Sequence, residues 1–206
     1  MTNRIGFIGL GKMGRWMAIN LLKNNFNLIV FDTDDEAVKF VADYGARTAK
    51  SIADVTDQAR KVFFCLPNHQ IIENIVIGNQ GLIKRNFNNH TLIDLGTSNF
   101  IWTQKFSERL GEEGISFSDA PVTGMEQQAK DGILTIMFGG KKDILDEITP
   151  VLTSIGNTVV HMGPGGSGRC SNHGLIQHNG CRNTVEDLLH TVKISSDMEG
   201  GVSIRG

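Results

Sequence analysis

The sequence predicts an α/β fold in which helices cover both faces of a doubly wound parallel sheet. As far as residue 162, short apolar runs typical of strands buried on both faces alternate with segments of helical periodicity. In addition, the first apolar run, residues 5–8, leads directly into a glycine-rich turn and a helical segment. We therefore expect one domain over residues 1–162 and a smaller appendage over residues 163–206.

The glycine-rich turn has the spacing G-x-G-x-x-G, with Gly9, Gly11 and Gly14 at the three glycine positions. Gly9 permits a tight turn after the strand, Gly11 leaves room for a pyrophosphate, and Gly14 lets the next helix pack closely. The N-terminus of that helix offers free N–H groups and a positive dipole end to phosphates. This predicts a Rossmann-type dinucleotide-binding turn, with cofactor-binding residues Gly9, Leu10, Gly11, Lys12, Met13 and Gly14.

The second apolar run, residues 28–31, ends in Asp32, about 20 residues after the glycines, where an acid holds the adenosine ribose hydroxyls. The alternative is that Asp32 only caps the next helix, for which Asp34 and Asp35 are also available; we favour the ribose role. A 2′-phosphate would be repelled here, because the segment is acidic and residues 32–45 contain no arginine. The sequence therefore favours NAD over NADP.

The remaining elements share one pattern, in which short apolar strands alternate with amphipathic helices. In chain order they are a helix over residues 36–44 closed by Gly45, a short helix opened by Ser51, a strand over 61–66 stopped by Pro67, a helix over 71–77, a strand over 91–94, a helix over 100–113, strands over 115–120 and 133–138, a helix over 143–153 and a strand over 159–162.

Ligands of open α/β sheets bind outside the carboxyl ends of the strands. Four loops are expected there, over residues 9–14, 66–69, 95–98 and 121–125. Thr97 and Ser98 can meet the nicotinamide or its ribose, whereas Thr123 and Gly124 can present a hydroxyl and backbone N–H groups to a carboxylate. For each of them the alternative is an ordinary helix cap or turn. The further cofactor-binding residues expected in these loops are Leu66, Pro67 and Thr97.

Composition narrows the function classes. The 206 residues carry a formal net charge of −2, and no Lys/Arg-rich run is present, so nucleic acid is not implied. No apolar run approaches membrane-spanning length, and the N-terminus shows no signal-peptide pattern. The three cysteines lack C-x-x-C spacing, which suits a reducing compartment. We expect a soluble protein of cytoplasmic type, with an organellar protein that lacks its targeting sequence as the alternative.

Several segments share the motifs of one family over the span from Arg4 to Arg169. They are the glycine turn, Cys65-Leu66-Pro67, Ile93-Asp94-Leu95-Gly96-Thr97, Asp119-Ala120-Pro121-Val122-Thr123-Gly124, Gly132-Ile133-Leu134, Gly139-Gly140 and the glycine-rich turn at residues 163–168. Together they resemble the β-hydroxyacid dehydrogenases, a group that includes 3-hydroxyisobutyrate dehydrogenase and, more distantly, 6-phosphogluconate dehydrogenase.

The resemblance implies an activity and roles for particular residues. Such enzymes transfer a hydride between NAD(P) and the carbinol carbon of a small 3-hydroxy acid. By resemblance, Thr123 and Gly124 would hold the substrate carboxylate, and Thr97 would lie near the nicotinamide. The small hydroxy acid is the expected partner, and members of the family form homo-oligomers.

Three positions depart from the family pattern. Met125 replaces a second glycine after Thr123-Gly124, and Gly96 stands where a serine is usual. The family's proton-transferring lysine would fall at Asn172, so no catalytic residue is assigned. An amide cannot accept the hydroxyl proton, and such help is worth about 10²–10⁴-fold in rate. The alternative function is therefore a non-catalytic NAD-binding or interaction protein.

The segment after Arg169 lacks a sustained helical period, whereas the resemblance implies a long helical domain there. We interpret residues 163–206 as a truncated, partly disordered remnant that arose from a frameshift, mis-splicing or gene truncation, and we do not expect it to support the family's homo-oligomer. Four cysteine and histidine residues in this segment have a spacing that could suit zinc. We attribute this spacing to the chance composition of a Gly/Asn-rich segment and expect no metal site. The four possible ligands are Cys170, His173, His178 and Cys181.

Overall fold

A computed structural model describes residues 4–85 and 87–168. Within these residues, strands and helices alternate along almost the whole chain. In order they are β1 (Arg4–Ile8), α1 (Gly14–Lys23), β2 (Asn27–Phe31), α2 (Asp35–Ala42), β3 (Arg47–Thr48), α3 (Ile52–Gln58), β4 (Lys61–Phe64), α4 (His69–Ile77), a 3₁₀ turn (Leu82–Lys84), β5 (Thr91–Asp94), α5 (Phe100–Glu112), β6 (Ser116–Asp119), β7 (Val122–Thr123), α6 (Glu126–Asp131), β8 (Leu134–Gly139), α7 (Lys142–Leu152) and β9 (Gly156–Gly163).

The strands form one sheet that confirms the predicted fold class. Its parallel part runs in the order β3-β2-β1-β4-β5-β6. β1 therefore lies between β2 and β4, so the chain winds first to one side of β1 and then to the other. This reversal of direction defines the crevice at which doubly wound sheets bind dinucleotides.

The far edge of the sheet is antiparallel in part, which the sequence did not predict. β6 meets β8 antiparallel at the pair Asp119↔Gly139, and β7 continues along β8 with the pair Val122↔Ile136. β9 pairs with β8 in parallel. The expected loop at residues 121–125 is therefore partly a strand, because Val122 and Thr123 find their hydrogen-bonding partners on β8, a later segment of the chain.

Apolar residues of the central strands pack on both faces of the sheet. In β4, Phe63 packs in one hydrophobic cluster, whereas its neighbours Val62 and Phe64 pack in the other. All three side chains are fully buried. This two-sided burial explains why the strands read as continuous apolar runs rather than as alternating patterns.

Polar side chains fix where several helices begin. Ser51 accepts a hydrogen bond from the Asp54 N–H at 3.1 Å. This bond caps α3, so the prediction that Ser51 opens a short helix is confirmed. Asn68 accepts from the Ile71 N–H at 3.1 Å, so α4 begins at His69, two residues before its predicted start.

β9 ends at Gly163, one residue beyond the predicted first domain. The division at residue 162 remains a prediction, since residues 169–206 lie outside the described part.

No helix in the described part of the chain is both long and apolar enough to cross a membrane.

Candidate functional site

Two of the three motif glycines are required by close packing at the end of β1. Gly9 has a φ of +100°, and a Cβ there would lie 2.3 Å from the Cys65 carbonyl oxygen. At Gly14, a Cβ would lie 2.0 Å from the Gly9 carbonyl oxygen. No side chain fits at either position unless the backbone moves. The turn therefore stays tight and the N-terminus of α1 lies directly above it.

Gly11 differs from the other two glycines, because a Cβ at this position would meet nothing within 4 Å. The protein's own packing therefore does not require a glycine at this exposed position. The first turn of α1 contains no acidic side chain, and no side chain caps the start of the helix. The Arg15 guanidinium lies beside the turn and donates from Nε to the Gly11 carbonyl at 3.2 Å. This open, electropositive surface fits a pyrophosphate.

Asp32 is held against the glycine turn by its carboxylate. Its Oδ2 accepts a hydrogen bond from the Leu10 backbone N–H, and its Oδ1 accepts from the Asp34 N–H at 3.0 Å. The cap of α2 is instead Asp34, whose side chain accepts from the Glu36 N–H at 3.0 Å. The capping alternative for Asp32 is therefore wrong. Each carboxylate oxygen can accept a further hydrogen bond, as a ribose diol would require.

The end of β4 lies between the glycine turn and the loop after β5. The Cys65 N–H donates to the Ile8 carbonyl at 2.9 Å, which places Cys65 beside the end of β1. A Cβ at Gly96 would lie 2.9 Å from the Leu66 carbonyl oxygen. Because Gly96 has no side chain, the loop after β5 can approach the end of β4 closely. Pro67, which follows Leu66 in the chain, is exposed at this edge.

Cys65, at the end of β4, is half-buried, and its thiol has a raised pKa. Burial raises its pKa from 9.0 to about 12, with smaller contributions from the carboxylates of Asp94 and Asp32. The thiolate is the nucleophilic form of cysteine. Cys65 is therefore a packing residue of the crevice and not a nucleophile.

The two hydroxyl residues after β5 have different environments. Thr97 is exposed, whereas Ser98 is buried and donates from Oγ to Asp94 Oδ2 at 3.0 Å. The expectation that Ser98 can meet the nicotinamide is therefore wrong. Its hydroxyl is directed inwards by a buried acid that comes four residues earlier. Thr97 remains available at the crevice.

Thr123 and Gly124 lie at the antiparallel edge. Thr123 is an exposed residue of β7, paired with Thr135 of β8. Gly124 has a φ of +140°, and a Cβ there would lie 2.7 Å from Leu134 Cδ2. Met125 follows with 78% of its surface exposed. A glycine is thus required at position 124, and Met125 projects beside it into solvent.

Helix α6, which directly follows this segment, is attached to α1. The Trp16 indole Nε1–H donates to Glu126 Oε1 at 3.1 Å, and the buried Asn20 amide donates to the Ala129 carbonyl at 2.8 Å. The segment with Thr123 and Gly124 is therefore linked to the helix that carries the glycine turn. Neither contact is predicted from the sequence. The one feature that could have indicated the second contact is the polar residue Asn20 within an apolar helical face.

The structure thus brings the glycine turn, Asp32, Leu66 and Gly96 into one contiguous surface, with Thr97 next to it. Asn172 lies outside the described residues, as do the possible zinc ligands Cys170, His173, His178 and Cys181. Within residues 4–85 and 87–168, His, Cys, Asp and Glu side chains form no group of three or more that could hold a metal ion.

A family model described as the NAD binding domain of 6-phosphogluconate dehydrogenase matches residues 4–163. The chain belongs to this family. Its match begins at the first residue of β1 and ends at the last residue of β9, so it covers the entire sheet. The chain therefore carries an NAD-binding domain, and the resemblance to the β-hydroxyacid dehydrogenases is confirmed.

Similar proteins include oxidoreductases of defined substrate. The chain is 36% identical over 165 residues to 2-(hydroxymethyl)glutarate dehydrogenase of Eubacterium barkeri, an alignment that covers 80% of this chain and 55% of that protein. It is 34% identical over 167 residues to human mitochondrial 3-hydroxyisobutyrate dehydrogenase, covering 81% of this chain and 50% of that protein. The chain thus spans about half the length of the curated relatives it matches.

Among solved structures, the chain is similar to Mycobacterium tuberculosis 3-hydroxyisobutyrate dehydrogenase with L-serine. The TM-score is 0.76 at 25% sequence identity, and the superposition covers 84% of this chain and 58% of that one.

Proposed function

We propose that the chain binds NAD at the glycine turn and belongs to an oxidoreductase that acts on a small 3-hydroxy acid. The observation that carries the proposal is the contrast among the motif glycines. Packing excludes a side chain at Gly9 and Gly14, whereas Gly11 faces open space. At position 11 the protein itself leaves room for a side chain. A ligand that approaches the backbone there explains why the residue is a glycine.

The acid beside this turn supports NAD in preference to NADP. Asp32 is fixed by the Leu10 N–H at the position where ribose hydroxyls would be held. Asp34 and Asp35 follow immediately, and both are exposed. A 2′-phosphate carries about two negative charges and would lie close to three carboxylates. Their repulsion disfavours NADP.

The segment after β6 supplies a candidate anchor for a carboxylate substrate. Thr123 offers an exposed hydroxyl, and the backbone of Gly124 lies next to it. Two of the relatives are named for 2-(hydroxymethyl)glutarate and 3-hydroxyisobutyrate, which are both carboxylates that bear a hydroxyl group. We propose a substrate of this class, whose carboxylate is held beside Thr123 and Gly124.

Proton transfer is the weak step in the proposed reaction. Bound nicotinamide supplies hydride chemistry, but the substrate hydroxyl still needs a group that accepts its proton. At the position of the family's lysine this chain has Asn172, whose amide does not accept protons at neutral pH. We therefore propose that NAD binds normally and that turnover is slow.

Asn172→Lys tests this proposal against Asn172→Gln, a matched control that lengthens the side chain without adding an amine. NAD reduction by 3-hydroxyisobutyrate is followed through NADH absorbance. We expect slow turnover in the wild type and the control, and an increase of about 10²-fold or more in the lysine variant. If the wild type turns over rapidly and Asn172→Lys is no faster, impaired turnover is wrong.

The second candidate is a non-catalytic NAD-binding or interaction protein, and Asn172 itself favours it. The same experiment separates the two functions. If Asn172→Lys binds NADH yet reduces no NAD with any short 3-hydroxy acid, the enzymatic proposal is contradicted and the binding function is supported.

A further inference from the structure

The loop after β5 is organised by a buried acid, Asp94, the last residue of that strand. Asp94 is 0% exposed, so it cannot contact a ligand in the crevice. Its carboxylate reaches forward into the loop. Oδ1 accepts from the Gly96 N–H at 2.8 Å, and Oδ2 accepts from the Ser98 hydroxyl at 3.0 Å.

These two hydrogen bonds bracket Thr97. Gly96 and Ser98, its two neighbours in the chain, are both tied to the same carboxylate. Thr97 is exposed, whereas Ser98 is only 7% exposed. The carboxylate therefore fixes the backbone on each side of Thr97, which is the exposed residue of the three.

Asp32 and Asp94 play corresponding roles on two strands. Each carboxylate accepts a backbone N–H from a loop at the carboxyl edge, from Leu10 in one case and from Gly96 in the other. Asp32 is only partly buried and can also bind a ligand, whereas Asp94 is fully buried and holds the loop from inside the protein.

We propose that Asp94 is a positioning residue that holds Thr97 for the nicotinamide ring of the dinucleotide. This inference rests on the proposed function, since it requires NAD to bind with its nicotinamide ring at Thr97. Loss of the Asp94 contacts should then weaken binding of the whole dinucleotide, whereas ADP-ribose, which has every part of NAD except this ring and is held by the glycine turn and Asp32, should bind as before.

Ser98→Ala tests the inference, because it removes one hydrogen bond to Asp94 and is mild enough for the chain to fold. Dissociation constants of the full chain are measured by calorimetry for NADH and for ADP-ribose, which lacks the nicotinamide. One lost hydrogen bond predicts about fivefold weaker NADH binding and an ADP-ribose constant within about twofold of the wild type. The control, Ser107→Ala, removes a comparable hydrogen bond from Ser107 Oγ to the Phe117 carbonyl, 3.0 Å long, and should change neither constant.

Two further variants separate positioning from a general structural role. Asp94→Leu removes both hydrogen bonds and should lower NADH affinity more than Ser98→Ala does. Asp94→Asn keeps an acceptor for Gly96 and can exchange donor roles with the Ser98 hydroxyl, so it should restore most of the affinity. In the double variant Thr97→Ala/Ser98→Ala, the two losses should not add, because Ser98 acts through Thr97.

The outcomes are distinct. If Ser98→Ala weakens NADH and ADP-ribose equally, or changes neither, the positioning role is overturned. If the wild type binds ADP-ribose but gains no affinity from the nicotinamide ring, the inference fails while the adenosine site stands. If the wild type binds neither compound, the proposed function fails, and the inference fails with it.

Discussion

The carboxylate of Asp32 and the backbone N–H of Leu10 are joined by a hydrogen bond across 22 positions of sequence. This bond ties the end of β2 to the middle of the glycine turn. A single contact thereby sets the separation between the two places where a dinucleotide is proposed to be held, at its pyrophosphate and at its adenosine ribose.

Asp32→Ala should weaken NADH binding by about tenfold or more, because it removes the ribose acceptor and frees the Leu10 N–H. Asp34→Ala is the matched control, since Asp34 caps α2 and carries the same charge two residues away. It should lower the free energy of unfolding by about 1 kcal/mol and leave NADH affinity within about twofold. Titration calorimetry and urea unfolding measure the two effects, and equal binding losses in both variants would remove Asp32 from the site.

Gly11→Ala and Gly14→Ala should fail in different ways. At Gly11 an added methyl group meets no protein atom within 4 Å, so the variant should unfold at the wild-type urea concentration and still bind NADH poorly. At Gly14 the methyl group would lie 2.0 Å from the Gly9 carbonyl oxygen, so stability itself should fall. Full NADH affinity in Gly11→Ala would mean that no pyrophosphate lies over this residue.

The Cys65 thiol should resist alkylation. A pKa of about 12 instead of 9.0 lowers the thiolate fraction near neutral pH about 1000-fold. Peptide mapping after iodoacetamide treatment should show slow modification of Cys65 in the folded chain and rapid modification in urea. Comparable rates in both states would contradict a buried, protonated thiol.

The same thiol makes stability depend on pH in the alkaline range. Between pH 9.0 and about 12, the folded chain keeps a proton on Cys65 that the unfolded chain releases. Stability contributed by this group is therefore complete below pH 9 and is lost as the pH rises through this window. Cys65→Ala should show a shallower decline in its urea midpoint over that range than the wild type.

The Asn20 amide should contribute measurably to the attachment of α6. Asn20→Ala leaves the Ala129 carbonyl without this buried donor, which should lower the free energy of unfolding by about 1–3 kcal/mol. Asn24→Ala provides the control, because the Asn24 amide is exposed and bonds only within its own helix end, to the Asn20 carbonyl. Urea unfolding that gives the same loss for both variants would contradict a special role for Asn20.

The features that sequence alone predicts correctly here are local. Gly14 is constrained by the Gly9 carbonyl oxygen five residues before it, and a glycine motif reports such a constraint directly. The cap at Ser51 involves a residue only three positions away. The buried strands also stand out, because burial on two faces leaves a continuous apolar run.

The features that the sequence does not reveal depend on distant partners. Asn20 and Ala129 are 109 positions apart, and β7 exists only because β8 pairs with it. Ser98 looks like a ligand-binding hydroxyl in the sequence, but the buried Asp94 accepts its hydrogen bond. Neither periodicity nor motif spacing reports which way a hydroxyl will point when a fully buried acid competes for it.

Calorimetric titration of the full chain with NADH and, separately, with NADPH is the decisive measurement of the proposed site. We expect saturable NADH binding that is lost in Gly11→Ala, and NADPH binding that is weaker by about tenfold or more because of the acidic residues after β2. The absence of NADH binding in the folded wild type would contradict the proposed site, and tighter binding of NADPH would contradict the role given to Asp32.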